Sequence, residues 1–175
     1  SDVCSSDLAC GPKYFTYINQ ELPTLCRRFF GIQPVPERTY IMGLSMGGYG
    51  AMKCAFTAPQ QYAGCAGFSS VAEIQAELPQ LCRWHEDQAI FPHGIVPSQD
   101  DLFDLVEKFR DGTCPMPRLF LACGQQDSLY PANLRLRDTL QAMNWPLTWY
   151  EAPGDHNWFF WNDALGRAMK ELLEN

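Results

Sequence analysis

The segment at residues 43–47, Gly-Leu-Ser-Met-Gly, constrains this chain most, because it fits the pattern G-x-S-x-G. A β-type run at residues 39–42 precedes it, and a helix-compatible run at residues 49–56 follows it. Between a strand and a helix, this pattern indicates a nucleophile elbow, a strained turn that lifts a serine hydroxyl clear of the sheet. We expect glycine at positions 43 and 47 because a Cβ there would collide with the neighbouring strand or helix. Ser45 is therefore the candidate nucleophile.

The helix that begins at this turn points its N-terminal end at the site. Backbone N–H groups in the first turn of a helix have no partner within the helix, and the helix dipole is positive there. An oxyanion that forms next to Ser45 would be stabilised by both effects. The segment thus predicts a nucleophile together with one side of an oxyanion hole.

A serine nucleophile needs a base, and the chain has three histidines, His85, His93 and His156. His156 follows the strand predicted at residues 147–151 and a short loop, and it precedes the last helix. Loops at the carboxyl ends of parallel strands carry catalytic groups in α/β proteins. The other two histidines have no comparable position, so we predict that His156 accepts the proton of Ser45.

Asp127 occupies the corresponding position after the preceding predicted strand. The order along the chain is then Ser45, Asp127, His156, and we predict that Asp127 fixes the tautomer of His156 and stabilises the imidazolium. Asp155 and Glu151 remain as alternatives for the acid. Asp155 is adjacent to the histidine in sequence and would reach its Nδ1 poorly, and the side chain of Glu151 could face the helices instead.

Strands and helices alternate along the chain, which indicates an α/β fold. The strand, helix and strand at residues 39–42, 49–56 and 63–69 predict a parallel sheet, because such a crossover joins parallel strands. Further strands are predicted at residues 117–123 and 147–151, and further helices at residues 14–30, 71–81, 100–110, 133–143 and 157–173.

Two prolines and one serine refine these boundaries. Pro23 predicts a kink in the first helix or a helix start nearby. Ser98 is the predicted cap of the helix at residues 100–110. Pro59 is expected to end the helix that follows the elbow.

Residues 71–113 interrupt the alternation of strands and helices, so we expect a cap-like insert over the strand ends.

Composition excludes several classes of partner. Lys and Arg total 13 against 20 Asp and Glu, and the formal net charge of −7 argues against nucleic acid or an anionic membrane as partner. The eight cysteines form no C-x-x-C pair and no Cys/His cluster with zinc spacing, so no metal site is predicted. Cys54, Cys65 and Cys123 lie in apolar segments, which favours free buried thiols and a cytoplasmic location.

Three motifs together resemble a known family. They are GLSMGGYGA at residues 43–51, C-G-x-x-D at residues 123–127, and G-x-H-x-W-x-x-W at residues 154–161. These motifs resemble the bacterial tributyrin esterase and esterase D family, which includes S-formylglutathione hydrolases and some carbohydrate esterases. The resemblance runs from about residue 14 to the C-terminus.

The resemblance implies an α/β-hydrolase fold with no cofactor. It implies that Ser45, Asp127 and His156 form the triad and that the backbone N–H of Met46 is one half of the oxyanion hole. Members of this family have a longer N-terminal part, with further strands and a His-Gly loop that supplies the second oxyanion donor. That part does not precede the nucleophile strand here, so the second donor is expected to be missing, which costs about 10²–10³ in rate.

The activity implied by the resemblance is that of a serine carboxylesterase acting on short-chain acyl esters, of the acetyl, butyryl or carbohydrate type. Three alternatives stay open: a thioesterase of the S-formylglutathione hydrolase type, an acyltransferase with the same triad, and a truncated, inactive hydrolase-like protein. The expected partner is a small-molecule ester, and the oligomeric state, including a homo-oligomer, stays open. Trp158, Trp84 and Phe91 are candidate pocket residues, with ordinary packing as the alternative for each.

Residues 1–8 contain Asp-Val-Cys-Ser-Ser-Asp-Leu, which matches the translation of a common sequencing-adapter oligonucleotide. We therefore expect residues 1–8 to be non-native and residues 9–175 to form a single α/β-hydrolase domain, as a fragment. A chain of 175 residues suits one domain or part of a larger one.

Overall fold

The computed structural model describes residue 7, residues 13–81 and residues 91–174. The predictions for residues 1–6 and 8, and those for Trp84 and His85, lie outside the described residues. Within the described part, no helix combines the length and the apolar character needed to cross a membrane.

A four-stranded parallel sheet forms the centre of the molecule. Its strands lie in the order of the chain: β1 (Tyr40–Leu44), β2 (Gly64–Phe68), β3 (Arg118–Gly124) and β4 (Leu147–Ala152). The predicted α/β class and the parallel crossover are confirmed. Because all four strands run in one direction, their carboxyl ends meet at one edge of the sheet, which we call the carboxyl edge.

The helices differ from the predictions mainly at their ends. They are α1 (Tyr14–Thr16), α2 (Leu22–Phe30), α3 (Met46–Thr57), α4 (Ile74–Leu81), α5 (Leu102–Glu107), α6 (Tyr130–Ala142) and α7 (Trp158–Leu173). A π-helical turn, Tyr17–Glu21, joins α1 to α2. The predicted helix start near Pro23 is confirmed, since this residue lies in the first turn of α2, where a missing N–H costs little.

The sheet is buried on both faces, and the side chains of β3 show how. Leu119 and Leu121 point into a core shared with α3, while Phe120 and Ala122 point into a second core shared with α7. Side chains alternate between faces along a strand, so a strand that is covered on both sides must be apolar throughout. The helices α3 and α6 contact one side of the sheet and α7 contacts the other.

The described parts of residues 71–113 pack on the outer side of α3. The Tyr49 hydroxyl donates a hydrogen bond to the Asp100 carbonyl oxygen at 2.7 Å, and the Lys53 ammonium forms an ion pair with the Asp100 carboxylate. Phe91 and Leu102 join the same core as α3. This segment therefore shares the main hydrophobic core of the domain.

The prediction that Ser98 caps the helix in this segment is wrong. Ser98 begins a separate 3₁₀ turn, Ser98–Asp100. The cap of α5 is Asp101, whose Oδ1 accepts hydrogen bonds from the backbone N–H groups of Phe103 at 2.8 Å and Asp104 at 3.2 Å. Serine and aspartate are both favourable helix caps. Because the 3₁₀ turn Ser98–Asp100 separates Ser98 from α5, Asp101 is the residue that caps the helix.

Candidate active site

The turn at Ser45 has the strained geometry expected of a nucleophile elbow. Ser45 lies between β1 and α3 with φ 54° and ψ −123°, a region that residues with a side chain rarely occupy. Its backbone N–H donates to the Phe68 carbonyl oxygen at 2.8 Å, which extends the sheet ladder by one residue. The Ser45 side chain makes no capping bond to α3, so its hydroxyl is available at the carboxyl edge.

The two glycines of the elbow differ in what they require. A Cβ on Gly43 would lie 2.0 Å from the carbonyl oxygen of Gly47 and 2.8 Å from the backbone nitrogen of Gly48, so position 43 admits only glycine without backbone movement. A Cβ on Gly47 would meet no atom within 4 Å. The expectation of a collision is therefore correct for Gly43 and wrong for Gly47, because the start of α3 turns that position towards solvent.

The structure brings Ser45, His156 and Asp127 into one hydrogen-bonded series. The Ser45 Oγ lies 2.9 Å from His156 Nε2, and His156 Nδ1 lies 2.9 Å from Asp127 Oδ2. The three residues follow β1, β4 and β3 respectively, and the parallel order of these strands gathers them at the carboxyl edge. The exposed fraction of the side chain is 33% for His156 and 0% for Asp127, so the series runs from solvent into the protein.

The environment of Asp127 favours the ionised carboxylate. Burial alone would raise the pKa of this carboxyl, but the hydrogen bonds from His156 and the Leu129 backbone N–H, together with the nearby Ser69 hydroxyl, outweigh burial and hold the pKa below its ordinary value. The Leu129 N–H donates to Asp127 Oδ1 at 2.9 Å. A carboxylate that stays ionised can accept a hydrogen bond from Nδ1–H of His156, and in that tautomer Nε2 is the acceptor towards Ser45.

The two alternative acids are occupied elsewhere. Asp155 Oδ1 accepts a hydrogen bond from the backbone N–H of His156 at 2.7 Å. Glu151 Oε2 accepts from Trp149 Nε1 at 2.7 Å and from the Tyr130 hydroxyl at 2.9 Å. Neither carboxylate bonds to the imidazole ring in this structure.

Short contacts hold the loop after β3 against the loop after β4. The Gln126 backbone N–H donates to the Gly154 carbonyl oxygen at 2.9 Å, and the Gly154 N–H donates back to Gln126 Oε1 at 2.6 Å. A Cβ on Gly124 would lie 2.4 Å from the Gly154 carbonyl oxygen, so the two backbones touch. This contact fixes the distance between the loops that carry Asp127 and His156.

Sequence reasoning missed Ser69 at this site. Ser69 follows β2, is fully buried, and has a positive φ of 46°. Its Oγ accepts a hydrogen bond from Trp161 Nε1 at 3.0 Å and lies 4.0 Å from Cys123 Sγ. Two consecutive serines after a strand, here Ser69 and Ser70, look the same in sequence as an ordinary turn. The sequence signal that could have indicated this part of the site is Trp161, which lies in the G-x-H-x-W-x-x-W motif.

The candidate pocket residues are placed differently from one another. Trp158, at the start of α7, is 64% exposed, and its ring packs against Trp161 with centroids 5.6 Å apart. Phe91 is 2% exposed and belongs to the main core, so it presents no surface to a ligand. Met46 is the first residue of α3, which puts its backbone N–H at the positive end of the helix dipole.

The described residues hold no group of three or more His, Cys, Asp and Glu side chains that could bind a metal ion.

An open apolar groove of about 600 Å³ lies between α2 and β1, and its lining includes Leu22, Ile41 and Tyr62. Its lining includes none of the three hydrogen-bonded site residues.

Known proteins with similar sequences and structures are esterases and related hydrolases. An acetyl esterase of Caldicellulosiruptor saccharolyticus is 29% identical over 168 residues, which covers 90% of this chain and 63% of that protein. A fluorophosphonate-binding serine hydrolase of Staphylococcus aureus matches with a TM-score of 0.88 and 28% identity, over 100% of this chain and 69% of that one. An S-formylglutathione hydrolase of Staphylococcus aureus matches with a TM-score of 0.76 and 30% identity, over 91% of this chain and 60% of that one.

This chain thus spans less than two thirds of the length of the acetyl esterase that it matches. The resemblance to solved hydrolases confirms the α/β-hydrolase fold over the described part. A family model described as "Putative esterase" matches residues 2–172, almost the whole chain. This chain therefore belongs to that esterase family, in agreement with the resemblance to esterase D and tributyrin esterases.

Proposed function

We propose that this chain carries the nucleophile, base and acid of a serine carboxylesterase that hydrolyses short-chain acyl esters. The observation that carries the proposal is the hydrogen-bonded series from Ser45 Oγ through His156 to Asp127, with 2.9 Å at each step. The strained backbone of Ser45 adds support, because strain of this kind persists where the surrounding structure holds it for function. The esterase and serine hydrolase names of the relatives agree with this chemistry.

In the proposed reaction, Ser45 Oγ attacks the ester carbonyl carbon while His156 Nε2 takes its proton. The oxyanion forms next to the Met46 N–H at the start of α3. His156 then returns the proton to the leaving alcohol, which departs and leaves Ser45 acylated. Water attacks the acyl-enzyme with His156 again as base, and the acid and free Ser45 are released. Asp127 holds the imidazole in the required tautomer throughout.

A direct test compares hydrolysis of p-nitrophenyl acetate, butyrate and octanoate by the wild type, Ser45→Ala, Asp127→Asn and Asp155→Asn. We expect Ser45→Ala to abolish turnover above background and Asp127→Asn to lower kcat by up to about 10⁴. Asp155→Asn is the matched control, because its amide oxygen can still accept the His156 backbone N–H, and we expect less than a tenfold change. Equal losses in the two Asn variants would contradict the assignment of Asp127.

Thioester hydrolysis is a second candidate activity, supported by the 30% identity to an S-formylglutathione hydrolase. The same triad serves esters and thioesters, so the discrimination lies in substrate binding. Comparing kcat/KM for S-formylglutathione and p-nitrophenyl acetate separates the two. If kcat/KM for S-formylglutathione exceeds that for p-nitrophenyl acetate by more than about 100-fold, thioester hydrolysis is the better assignment.

We further propose that the protein works in a reducing, cytoplasmic compartment. Cys54, Cys65 and Cys123 are free and buried, and burial raises the pKa of the Cys54 and Cys123 thiols to about 12. Such thiols behave as small apolar side chains. Unfolding in the presence and absence of a reductant tests this proposal, since a stabilising disulfide would show as a lower midpoint under reduction.

A further inference from the structure

Asn133 is a buried amide that the proposed mechanism leaves unused. It lies near the start of α6 and is 1% exposed. A polar amide that is removed from water is stable in a protein only where its donors and its acceptor are hydrogen-bonded. The partners of this side chain therefore indicate its role.

The structure describes three hydrogen bonds of the Asn133 amide, all to backbone atoms of two turns. Its Nδ2 donates to the Ser70 carbonyl oxygen at 2.8 Å and to the Leu129 carbonyl oxygen at 2.9 Å. Its Oδ1 accepts from the Ser70 backbone N–H at 3.2 Å. Both protons of the amide nitrogen are thus in use. One side chain joins the turn after β2 to the turn after β3.

The Leu129 end of this link leads to the acid. The Leu129 N–H donates to Asp127 Oδ1 at 2.9 Å, and the Tyr130 N–H donates to the Asp127 carbonyl oxygen at 3.0 Å. The Leu129 carbonyl oxygen accepts from Asn133 Nδ2 and also from the Asn133 backbone N–H, at 3.0 Å. The peptide units on the two sides of Leu129 are therefore held by Asp127 and by Asn133.

The Ser70 end of the link leads to the nucleophile elbow. The Val71 N–H, which belongs to the same peptide unit as the Ser70 carbonyl, donates to the Ser45 carbonyl oxygen at 3.3 Å. The N–H and C=O of a trans peptide point in opposite directions, so this unit lies between Asn133 on one side and Ser45 on the other. A Cβ on Gly48 would lie 2.2 Å from Ser70 Oγ, so the Ser70 side chain also packs on the first turn of α3.

We propose that Asn133 is a positioning residue that holds the acid turn and the nucleophile turn at a fixed separation. The proposal rests on the proposed esterase function, since this separation affects a rate only if Ser45 is a nucleophile. The His156 ring lies 2.9 Å from both Ser45 Oγ and Asp127 Oδ2, so both bonds form together only at the right separation. Asn133 touches no reacting atom and acts through backbone atoms. A displacement of about 1 Å at such a site costs up to about 10² in rate.

The experiment compares Asn133→Leu and Asn133→Ala with the wild type. Leu fills the volume of the amide and Ala does not, so the two variants differ in packing while both delete all three hydrogen bonds. Leu136→Ala is the matched control, because Leu136 is fully buried on the same helix and its apolar side chain makes no hydrogen bond. Urea denaturation first establishes the conditions in which each variant is fully folded.

Three quantities are measured on the folded variants: kcat and KM for p-nitrophenyl acetate, the rate of Ser45 labelling by a fluorophosphonate, and the water exchange of the His156 Nδ1–H proton by ¹⁵N-histidine NMR. We expect both Asn133 variants to lower kcat and the labelling rate by about 10- to 100-fold. KM should stay within about threefold of the wild type, because no substrate contact is lost. The Nδ1–H proton should exchange faster in both Asn133 variants, and Leu136→Ala should change each rate by less than about threefold.

Wild-type rates and wild-type Nδ1–H exchange in both Asn133 variants would overturn the proposal. A loss in Asn133→Leu alone would also overturn it, because altered packing would then be responsible. A loss of equal size in Leu136→Ala would do the same, because it would trace the effect to a loosened α6. If neither Asn133 variant folds, hydrogen exchange of the wild type decides. We expect the Val71 and Leu129 backbone N–H groups to exchange through one common opening, and independent openings would refute the link.

The NMR readout does not need a working enzyme. A wild type that is never labelled and hydrolyses no ester would refute the esterase function. Faster Nδ1–H exchange in both Asn133 variants of that inactive protein would leave the link through Asn133 standing.

Discussion

At the scale of single residues, two strained serines mark the ends of neighbouring strands. Ser45 follows β1 with φ 54°, and Ser69 follows β2 with φ 46°. Each such residue costs about 1–3 kcal/mol, and the surrounding hydrogen bonds must hold it in place. The bonds from Ser45 N–H to Phe68 and from Ser69 N–H to Ala122 do so, at 2.8 and 2.7 Å. Sheet pairing and active-site geometry are therefore coupled at this edge.

Gly43→Ala should damage the elbow. The added Cβ would meet backbone atoms of Gly47 at 2.0 and 2.3 Å, and backbone cannot rotate away as a side chain would. We expect a loss of about 1–3 kcal/mol or more in the free energy of unfolding, measured by urea denaturation. Gly47→Ala is the control, since its Cβ meets nothing within 4 Å and alanine favours the helix. Equal destabilisation by both substitutions would contradict the elbow geometry described above.

Asp127→Asn should destabilise the protein at neutral pH and lose this effect in acid. The folded-state pKa of Asp127 lies below its ordinary value, so its contribution is fully present above the unfolded pKa of about 3.9. That contribution disappears as the pH falls through the folded pKa. We expect the free energies of unfolding of wild type and variant to differ by about 1–3 kcal/mol at pH 7 and to converge below about pH 4. A difference that is constant from pH 7 to pH 3 would refute this account.

The candidate triad was predictable from sequence, and the residues around it were not. Ser45, Asp127 and His156 each follow a predicted strand, and parallel strands bring such positions to one edge. Ser69 also follows a strand, but a buried serine is recognised only through its partners in three dimensions. The roles of Gly43 and Gly47 look equal in the pattern, and only the course of α3 separates them.

At the scale of elements, α5 shows how a cap is chosen. Ser98 and Asp101 both suit a helix start, and Asp101 accepts two backbone N–H bonds, from Phe103 and Asp104. We expect Asp101→Ala to lower the free energy of unfolding by about 1 kcal/mol. Ser98→Ala, at an exposed position outside the helix, should change it by less than about 0.5 kcal/mol. Chemical denaturation of the two variants tests this expectation. A larger loss of stability in Ser98→Ala than in Asp101→Ala would contradict the assignment of Asp101 as the cap.

Strands and long helices were predicted to within about three residues, since apolar runs and turn residues mark them clearly. The π-helical turn Tyr17–Glu21 was not predicted, because its sequence has ordinary helical spacing. The predicted helix start near Pro23 was correct, since proline suits the first turn of α2. Irregular elements depend on packing that a periodic pattern does not contain.

At the scale of the whole molecule, one group of exposed apolar side chains lies on α2 and just after it. Phe29 and Phe30 in α2 are 69% and 75% exposed, and nearby Ile32 is 56% exposed. The outer strand β1 lies beside the apolar groove of about 600 Å³ that α2 lines. Among the described residues, no strand pairs with the outer edge of β1. Apolar surface next to such an edge favours association.

We expect the chain to associate with increasing concentration through this side, as measured by sedimentation velocity. Phe29→Ser combined with Phe30→Ser should reduce the association, because it removes apolar surface at no cost to the core. Phe159→Ser is the control, since Phe159 is 93% exposed but lies on α7. A monomer at all concentrations, or an equal effect of the control, would contradict this prediction.

The proposed function depends on Ser45, activated by His156, acting as the nucleophile of this chain. Labelling with a fluorophosphonate, read by intact mass, tests it most directly, because the probe reacts with activated serines and needs no knowledge of the natural ester. We expect a single adduct on the folded wild type, no adduct on Ser45→Ala, and strongly slowed labelling of His156→Ala. An adduct that persists in Ser45→Ala, or no adduct on a chain shown to be folded, would contradict it.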